Sequence, residues 1–238
     1  MPRVSSLAFK VLSPCYHSIK AWAFRYPAIY APLSKLRHMF KYAYPESALA
    51  HRYLDNLHGV EIGASAFNAF GLQTININCT VDNPEVYDYK GYELSLVGKS
   101  VKVDLVALGD DLPFADGQWD FILTSHVVEH FYDPIRALQE WYRVVRPGGY
   151  VFLIVPHKER TFDKARLRTR LAELIERHAE NVPNAPTEHH HCVWITEDFL
   201  ELCAYLKLPV IDYQDRDDKA GNGFTVVIKK SETAAGPA

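Results

Sequence analysis

The stretch that most restricts how this chain can fold runs from Phe121 to Val155. A short apolar run, Phe121–Thr124, precedes Pro134–Val145, in which Ile135, Leu138, Trp141, Tyr142 and Val145 recur at three-and-four spacing. That spacing gathers them on one stripe of a helix. Pro147-Gly148-Gly149 then reads as a sharp turn into a second apolar run, Tyr150–Val155. A strand, helix and strand so connected bury their apolar faces as neighbours in a parallel sheet with a right-handed crossover. Further strands are expected at Gly59–Ile62, Thr74–Ile77 and Val101–Val106. Two later apolar runs, Pro209–Tyr213 and Gly223–Lys229, flank the turn-rich Asp215–Asn222. A helix is expected over about 197–206, N-capped by Thr196, with Glu197 and Asp198 where the helix dipole favours anions. The fold class is therefore α/β.

A length of 238 residues suits one such domain with an appendage. Net charge is −3, but residues 1–45 hold Arg3, Lys10, Lys20, Arg25, Lys35, Arg37 and Lys41 and no acid. That basic, aromatic, proline-punctuated segment is expected to form a helical arm over residues 1–50. The domain proper spans 51–230, and 231–238 form a disordered tail. Cys15, Cys79, Cys192 and Cys203 are widely spaced, as suits thiols in a reducing compartment. No apolar run approaches membrane-spanning length and no signal peptide is evident, so a cytoplasmic location is expected. The acidic body disfavours nucleic acid as a partner.

Two segments carry chemistry. In Val60-Glu61-Ile62-Gly63-Ala64-Ser65 an acid ends a strand and a glycine turn follows, which suits a ligand with a cationic amine and ribose hydroxyls. Downstream, Asp111-Leu112-Pro113-Phe114 leads into Trp119-Asp120-Phe121-Ile122, then Ser125-His126-Val127-Val128-Glu129-His130, then Arg146-Pro147-Gly148-Gly149. The G-x-x-G-x-x-G turn of nicotinamide-dependent sugar reductases is missing.

This ordered series resembles the class I S-adenosylmethionine-dependent methyltransferases, by motif over roughly 58–156 and by topology to 229. The resemblance implies a Rossmann-like sheet, mostly parallel with the last strand antiparallel, and S-adenosylmethionine as cofactor. It places Glu61, Gly63, Ala64 and Ser65 in the cofactor turn and Ser125 and His126 beside the methionine portion. Asn78 stands where the family usually has an acid for the ribose hydroxyls, and Leu108 where it often has an Asp for adenine. Asp110, Asp111 or the backbone near Leu112 must then serve instead. Only sixteen residues separate Glu61 from Asn78, so a loop or single turn is expected where a first helix of about eleven residues would stand. A narrower likeness is to uncharacterised bacterial methyltransferase-domain proteins found with cell-surface glycan biosynthesis. They share Pro156-His157-Lys158-Glu159-Arg160-Thr161-Phe162-Asp163-Lys164, the triple His and the segment near Asn222-Gly223-Phe224.

The implied reaction is O-methylation of a saccharide or related small molecule, the alternative being a degenerate relative that binds without catalysis. In this fold the acceptor enters over the ends of strands four and five. His157 is the first choice of general base and His126 the second, since a neutral imidazole can accept a hydroxyl proton. Arg160, Lys164 and His190 are candidate acceptor contacts. Arg166, Arg168 and Arg170 continue a basic run that also reads as the solvated face of a helix through Leu167, Leu171 and Leu174. His189 and His191, alternate residues of a loop, would share a face and could together ligate a divalent metal, although no third ligand is fixed by spacing. A lipid-linked acceptor would give residues 1–45 an inner-membrane surface to meet.

Overall fold

The computed structural model describes residues 46–66, 68–79, 93–94, 100–187 and 189–232. The expectations for residues 1–45 and for the tail beyond Glu232 lie outside them. Seven strands form one sheet: β1 (His58–Ile62), β2 (Gln73–Asn78), β3 (Leu105–Val106), β4 (Trp119–Ser125), β5 (Val145–Pro156), β6 (Val210–Gln214) and β7 (Gly223–Lys229). Their order is β3-β2-β1-β4-β5-β7-β6. The β3-to-β5 part is parallel, and β7 lies antiparallel to both β5 and β6. The order reverses direction between β1 and β4, so a crevice opens at their C-terminal ends.

Helices cover both faces: α1 (Ala48–Leu54), α2 (Pro134–Val144), α3 (Leu171–Glu180) and α4 (Thr196–Tyr205). Successive strand residues point to opposite sides. Val60, Ile122, Val151, Leu153 and Val226 therefore pack with Trp141, Phe199 and Leu202, while Phe121, Leu123, Phe152 and Ile154 meet Leu49, Leu54 and Phe70. Burial on both sides explains why these strands read as continuous apolar runs. No described helix is long and apolar enough to cross a membrane.

Several local expectations are corrected. At the start of the described residues, Ser47 Oγ caps α1 by accepting from Ala50 N at 3.0 Å, and Leu49 and Ala50 are buried. The strand expected from Val101 pairs only at Leu105–Val106. Upstream, one backbone bond remains, Asp104 N to the Asn76 carbonyl (2.9 Å), and side chains supply the rest: Asn76 N donates to Asp104 Oδ2 (3.0 Å) and Asn76 Nδ2 to the Lys102 carbonyl (3.2 Å). Pro147-Gly148-Gly149 is a bulged start of β5 instead of a separate turn, because Val145 pairs with Trp119 and Tyr150 already pairs with Phe121. Gly148 takes φ 76°, and a Cβ on Gly149 would lie 2.4 Å from the Asp120 carbonyl oxygen. Thr196 is the first residue of α4 and not its cap; its hydroxyl donates to Asp215 Oδ1 at 2.6 Å, while Asp198 accepts from Ile195 N. The basic run is not helical through Leu167, since Thr169 exchanges hydrogen bonds with Val193 and holds the chain extended until Leu171. The short β1–β2 connector contains no helix among its described residues, as expected.

Candidate active site

A cleft enclosing about 660 Å³, mouth included, lies at the switch point. Ile62 and Gly63 after β1, Asn78 and Cys79 after β2, Ala107–Asp110, Val127, His130 and Phe131 after β4, and Asn184–Thr187 line it. Gly63, Asn78 and Asp110 of the expected cofactor residues thus meet there. Gly63 has φ 71°, and a Cβ on it would come within 2.7 Å of Val127 Cγ2. Asn78 Oδ1 accepts from Cys79 N at 2.8 Å, which leaves its NH2 as the group it can offer. Asp110 is buried; Oδ2 accepts from Asn184 Nδ2 at 2.8 Å, and Oδ1 has no hydrogen-bond partner among the described residues. Asn184 also accepts from Asp133 N at 2.8 Å, so one amide ties the far wall to the start of α2. Sequence reading missed Asn184, whose only local signal is the Pro-Asn-Ala-Pro turn around it.

Asp111 and Leu112 lie outside this lining. Asp111 is exposed, and Leu112 is buried in the core with its N–H donating to Glu140 Oε1 at 2.8 Å. Ala64 and Ser65 are buried in the connector, where Ala66 N donates to Glu93, a second residue the sequence did not flag. Ser125 Oγ accepts from Asn68 Nδ2 at 3.0 Å. Glu61 is buried, and burial raises its carboxyl to about 7 against the opposing Lys219 ammonium and a Thr74 hydrogen bond. Lys219, also missed, reaches from the β6–β7 loop to donate to the Ala69 carbonyl at 2.7 Å and cover the Phe70 ring. Burial lowers its ammonium to about 8.

Beyond β4 the chain turns sharply at His126, whose φ of 57° is rare for a side-chain-bearing residue. Its N–H donates to the Ile154 carbonyl at 2.9 Å, which anchors the turn to β5. Three imidazole nitrogens then converge on one carboxylate oxygen, Glu129 Oε1: His126 Nδ1 at 3.9 Å, His130 Nε2 at 3.7 Å and His190 Nε2 at 3.8 Å. Glu129 is fully buried, and neither of its oxygens has a hydrogen-bond partner among the described residues. Burial pushes Glu129 up to about 8 and His126 and His130 down to about 4. At neutral pH these imidazoles are uncharged.

The triple His divides between two faces of its segment. Successive residues of an extended segment face opposite ways. His190 turns inward and is buried, its Nδ1 2.7 Å from Asp163 Oδ2, while His189 and His191 pack edge to face on each other at 5.3 Å. His189 and His191 thus share a face, and His190 belongs to a separate cluster of possible ligands on the opposite side. His157 does not line the cleft. Its Nδ1 accepts from Glu159 N at 3.1 Å, its Nε2 faces Asp215 Oδ1 at 3.8 Å, and its ring packs edge-on against Phe224. Arg160 is held by Asp215, with Nη1 to Oδ2 at 2.9 Å, and that pairing lowers Asp215 to about 2. Lys164 is exposed on the following turn.

The strand order and the glycine-turn cleft at the switch point define a class I methyltransferase fold. Residues 52–153 match the family model described as "Methyltransferase domain". This match spans less than half of the chain, so the likeness is to a methyltransferase domain over that segment. An uncharacterised methyltransferase of Mycolicibacterium gilvum is 39% identical over 90 residues, covering 38% of this chain and 33% of its own length. The chloroplastic 2-methyl-6-phytyl-1,4-hydroquinone methyltransferase 1 of Oryza sativa subsp. japonica is 29% identical over 113 residues, 45% of this chain and 33% of that protein. The chain spans about a third of the length of these curated relatives. A solved structure from echinomycin biosynthesis, where a disulfide bond is converted into a thioacetal group, has the same fold. It superposes with a TM-score of 0.50 at 11% identity, covering 81% of this chain and 84% of that one.

S-adenosylmethionine fits the groups present. Gly63 leaves the turn free of a side chain where a Cβ would collide with Val127. The orphaned Asp110 Oδ1 can accept from an adenine amine and the Asn78 amide can donate to a ribose hydroxyl; Glu61, buried behind the turn and outside the cleft lining, would supply negative charge for the amino-acid end. Because the folded-state value of Glu61 lies above its unfolded 4.5, its ionisation costs stability as pH rises towards about 7. A bound cation returns part of that cost. S-adenosylmethionine affinity is expected to tighten as pH rises from about 6 to about 8, and Glu61→Gln to flatten the profile in calorimetry.

Proposed function

We propose that this chain methylates a hydroxyl group of a saccharide or related small molecule, free or lipid-linked. The observation that carries the acceptor reading is Phe162. Its ring is 79% exposed yet lies 4.7 Å, centroid to centroid, from His190 of the carboxylate–imidazole cluster. An exposed aromatic face beside a polar cluster is a platform for the apolar face of a sugar ring, whose hydroxyls then meet the imidazoles. Lys164, two residues on and exposed, can meet an anionic group carried by the acceptor.

When bound, S-adenosylmethionine supplies a methyl carbon on a sulfonium, and the carbon–sulfur bond breaks as the acceptor oxygen bonds to that carbon. Gly63, Asn78 and Asp110 hold and orient the cofactor. His126 takes the acceptor proton: it stands at the end of β4 beside the cleft-lining Val127, and burial keeps its ring uncharged at neutral pH. His157 is less suited, because Nδ1 already accepts a backbone N–H and Nε2–H faces Asp215. His126→Asn should lower kcat by at least about 100-fold while cofactor affinity stays within about twofold. The measurement is transfer of labelled methyl to a panel of saccharides and nucleotide sugars, with cofactor calorimetry alongside. Full turnover in His126→Asn would remove it as base. No binding at millimolar cofactor would instead identify a scaffold that keeps the fold without the reaction.

A further inference from the structure

We propose that Glu129, His130 and His190 form a binding site for a divalent transition-metal ion at the acceptor end of the cleft. Each offers one ligand atom, and these atoms all lie within 4.8 Å of one another. The separation suits a single ion placed between them. The set is not a chance surface grouping, since Glu129 and His190 are buried and both carboxylate oxygens of Glu129 lack a hydrogen-bond partner among the described residues. A carboxylate so isolated is costly to bury unless a cation or proton joins it.

His190 indicates which occupant fits. Its Nδ1 lies 2.7 Å from Asp163 Oδ2, and Asp163 Oδ1 accepts from Arg166 Nη1 at 2.7 Å, while Arg166 Nη2 donates to the His190 carbonyl at 2.7 Å. A neutral His190 therefore gives its Nδ1 proton to Asp163 and presents the lone pair of Nε2 to Glu129, 3.8 Å away. A lone pair facing ionised carboxylate oxygens repels them, and an ion or a proton between them removes the conflict. Carboxylate support of the remote ring nitrogen is also how proteins orient metal-ligating histidines. Two imidazoles and one carboxylate suit zinc, manganese, iron or cobalt, whereas magnesium and calcium sites are built from oxygen.

The side chain of His130 is 28% exposed, so the site is open on the cleft side and leaves coordination positions there. On the proposed methylation reading, an ion held by Glu129, His130 and His190 would supply Lewis acidity towards an acceptor hydroxyl, and His126 would take the proton. His126 Nδ1 lies 3.9 Å from the same Glu129 oxygen.

Metal binding is testable without cofactor or acceptor, so its outcome is separate from that of the methylation reading. Chelator-stripped full-length protein, titrated with cobalt(II) and with zinc, should take up one equivalent by calorimetry, and cobalt should give visible absorption bands. Glu129→Gln and His190→Gln should each weaken binding by at least about 100-fold, and Asp163→Asn by about 10- to 100-fold. His189→Gln should leave it unchanged. Should Glu129→Gln not fold, His130→Gln, at a partly exposed position, serves as the ligand variant. No uptake at millimolar cobalt, or uptake that the ligand variants leave intact, would overturn the site and leave a proton shared between Glu129 and its imidazoles.

Discussion

Replacing Gly63 by alanine is expected to weaken S-adenosylmethionine binding by at least about 100-fold, equivalent to about 2.7 kcal/mol. Two effects combine. The backbone there has φ 71°, where an L-residue with a Cβ is strained by about 1–2 kcal/mol. The added Cβ also meets Val127 Cγ2 at 2.7 Å. Val127 is β-branched and packed against the core, so it cannot simply rotate aside. Relief must come from moving the turn after β1 or the turn after β4, and both walls of the cleft shift with it. Thermal melts should show the chain still folded, because Gly63 sits at a strand end. An affinity within a few-fold of wild type would mean that the cofactor does not rest against this turn.

Trp141 produces the second large effect, from the opposite side of the cleft floor. It is fully buried in α2, stacks edge-on against Phe131 at 5.9 Å, and donates from Nε1 to the Gly109 carbonyl at 2.7 Å. Trp141→Ala removes one of the two fully buried tryptophans of the main core and should cost about 3–5 kcal/mol of stability, read as a lower denaturant midpoint. Trp141→Phe keeps most of the packing but leaves the Gly109 carbonyl without its donor, a cost of about 1–3 kcal/mol. Gly109 and Phe131 both line the cleft, so the Phe variant should also bind cofactor more weakly while still folding. Equal stability of the Phe variant and wild type would show that the indole hydrogen bond contributes nothing net.

How much of this was legible in the sequence depends on how local the cause is. β7 and α2 were readable almost to the residue, because apolar periodicity and flanking turns are local signals. The helix-poor β1–β2 connector was readable from simple length. The errors share a different origin, contacts between residues far apart in the chain. Val101–Lys102 fall out of the sheet because Asn76 and Asp104 substitute side chains for ladder bonds. Thr196 leaves its expected capping role because Asp215 takes its hydroxyl. His190 is the inward histidine because Asp163 and Arg166 hold it, and nothing in three consecutive histidines says which one turns in. The Asp110–Asn184 pair, 74 residues apart, is likewise invisible to spacing. The methyltransferase motifs located the cleft, while the charge arrangement inside it required the fold.

The place of β7 in the sheet bears on how the chain assembles in time. β7 lies between β5 and β6 although it follows both in sequence, so β6 has no partner strand until residues 223–229 exist. During synthesis the ribosome therefore holds a half-sheet whose β5 edge, Tyr150–Pro156, is apolar and open. Contacts of such long sequence separation form slowly, and open apolar edges recruit other chains. The nascent protein has a window of vulnerability that closes when its last strand is wedged into place.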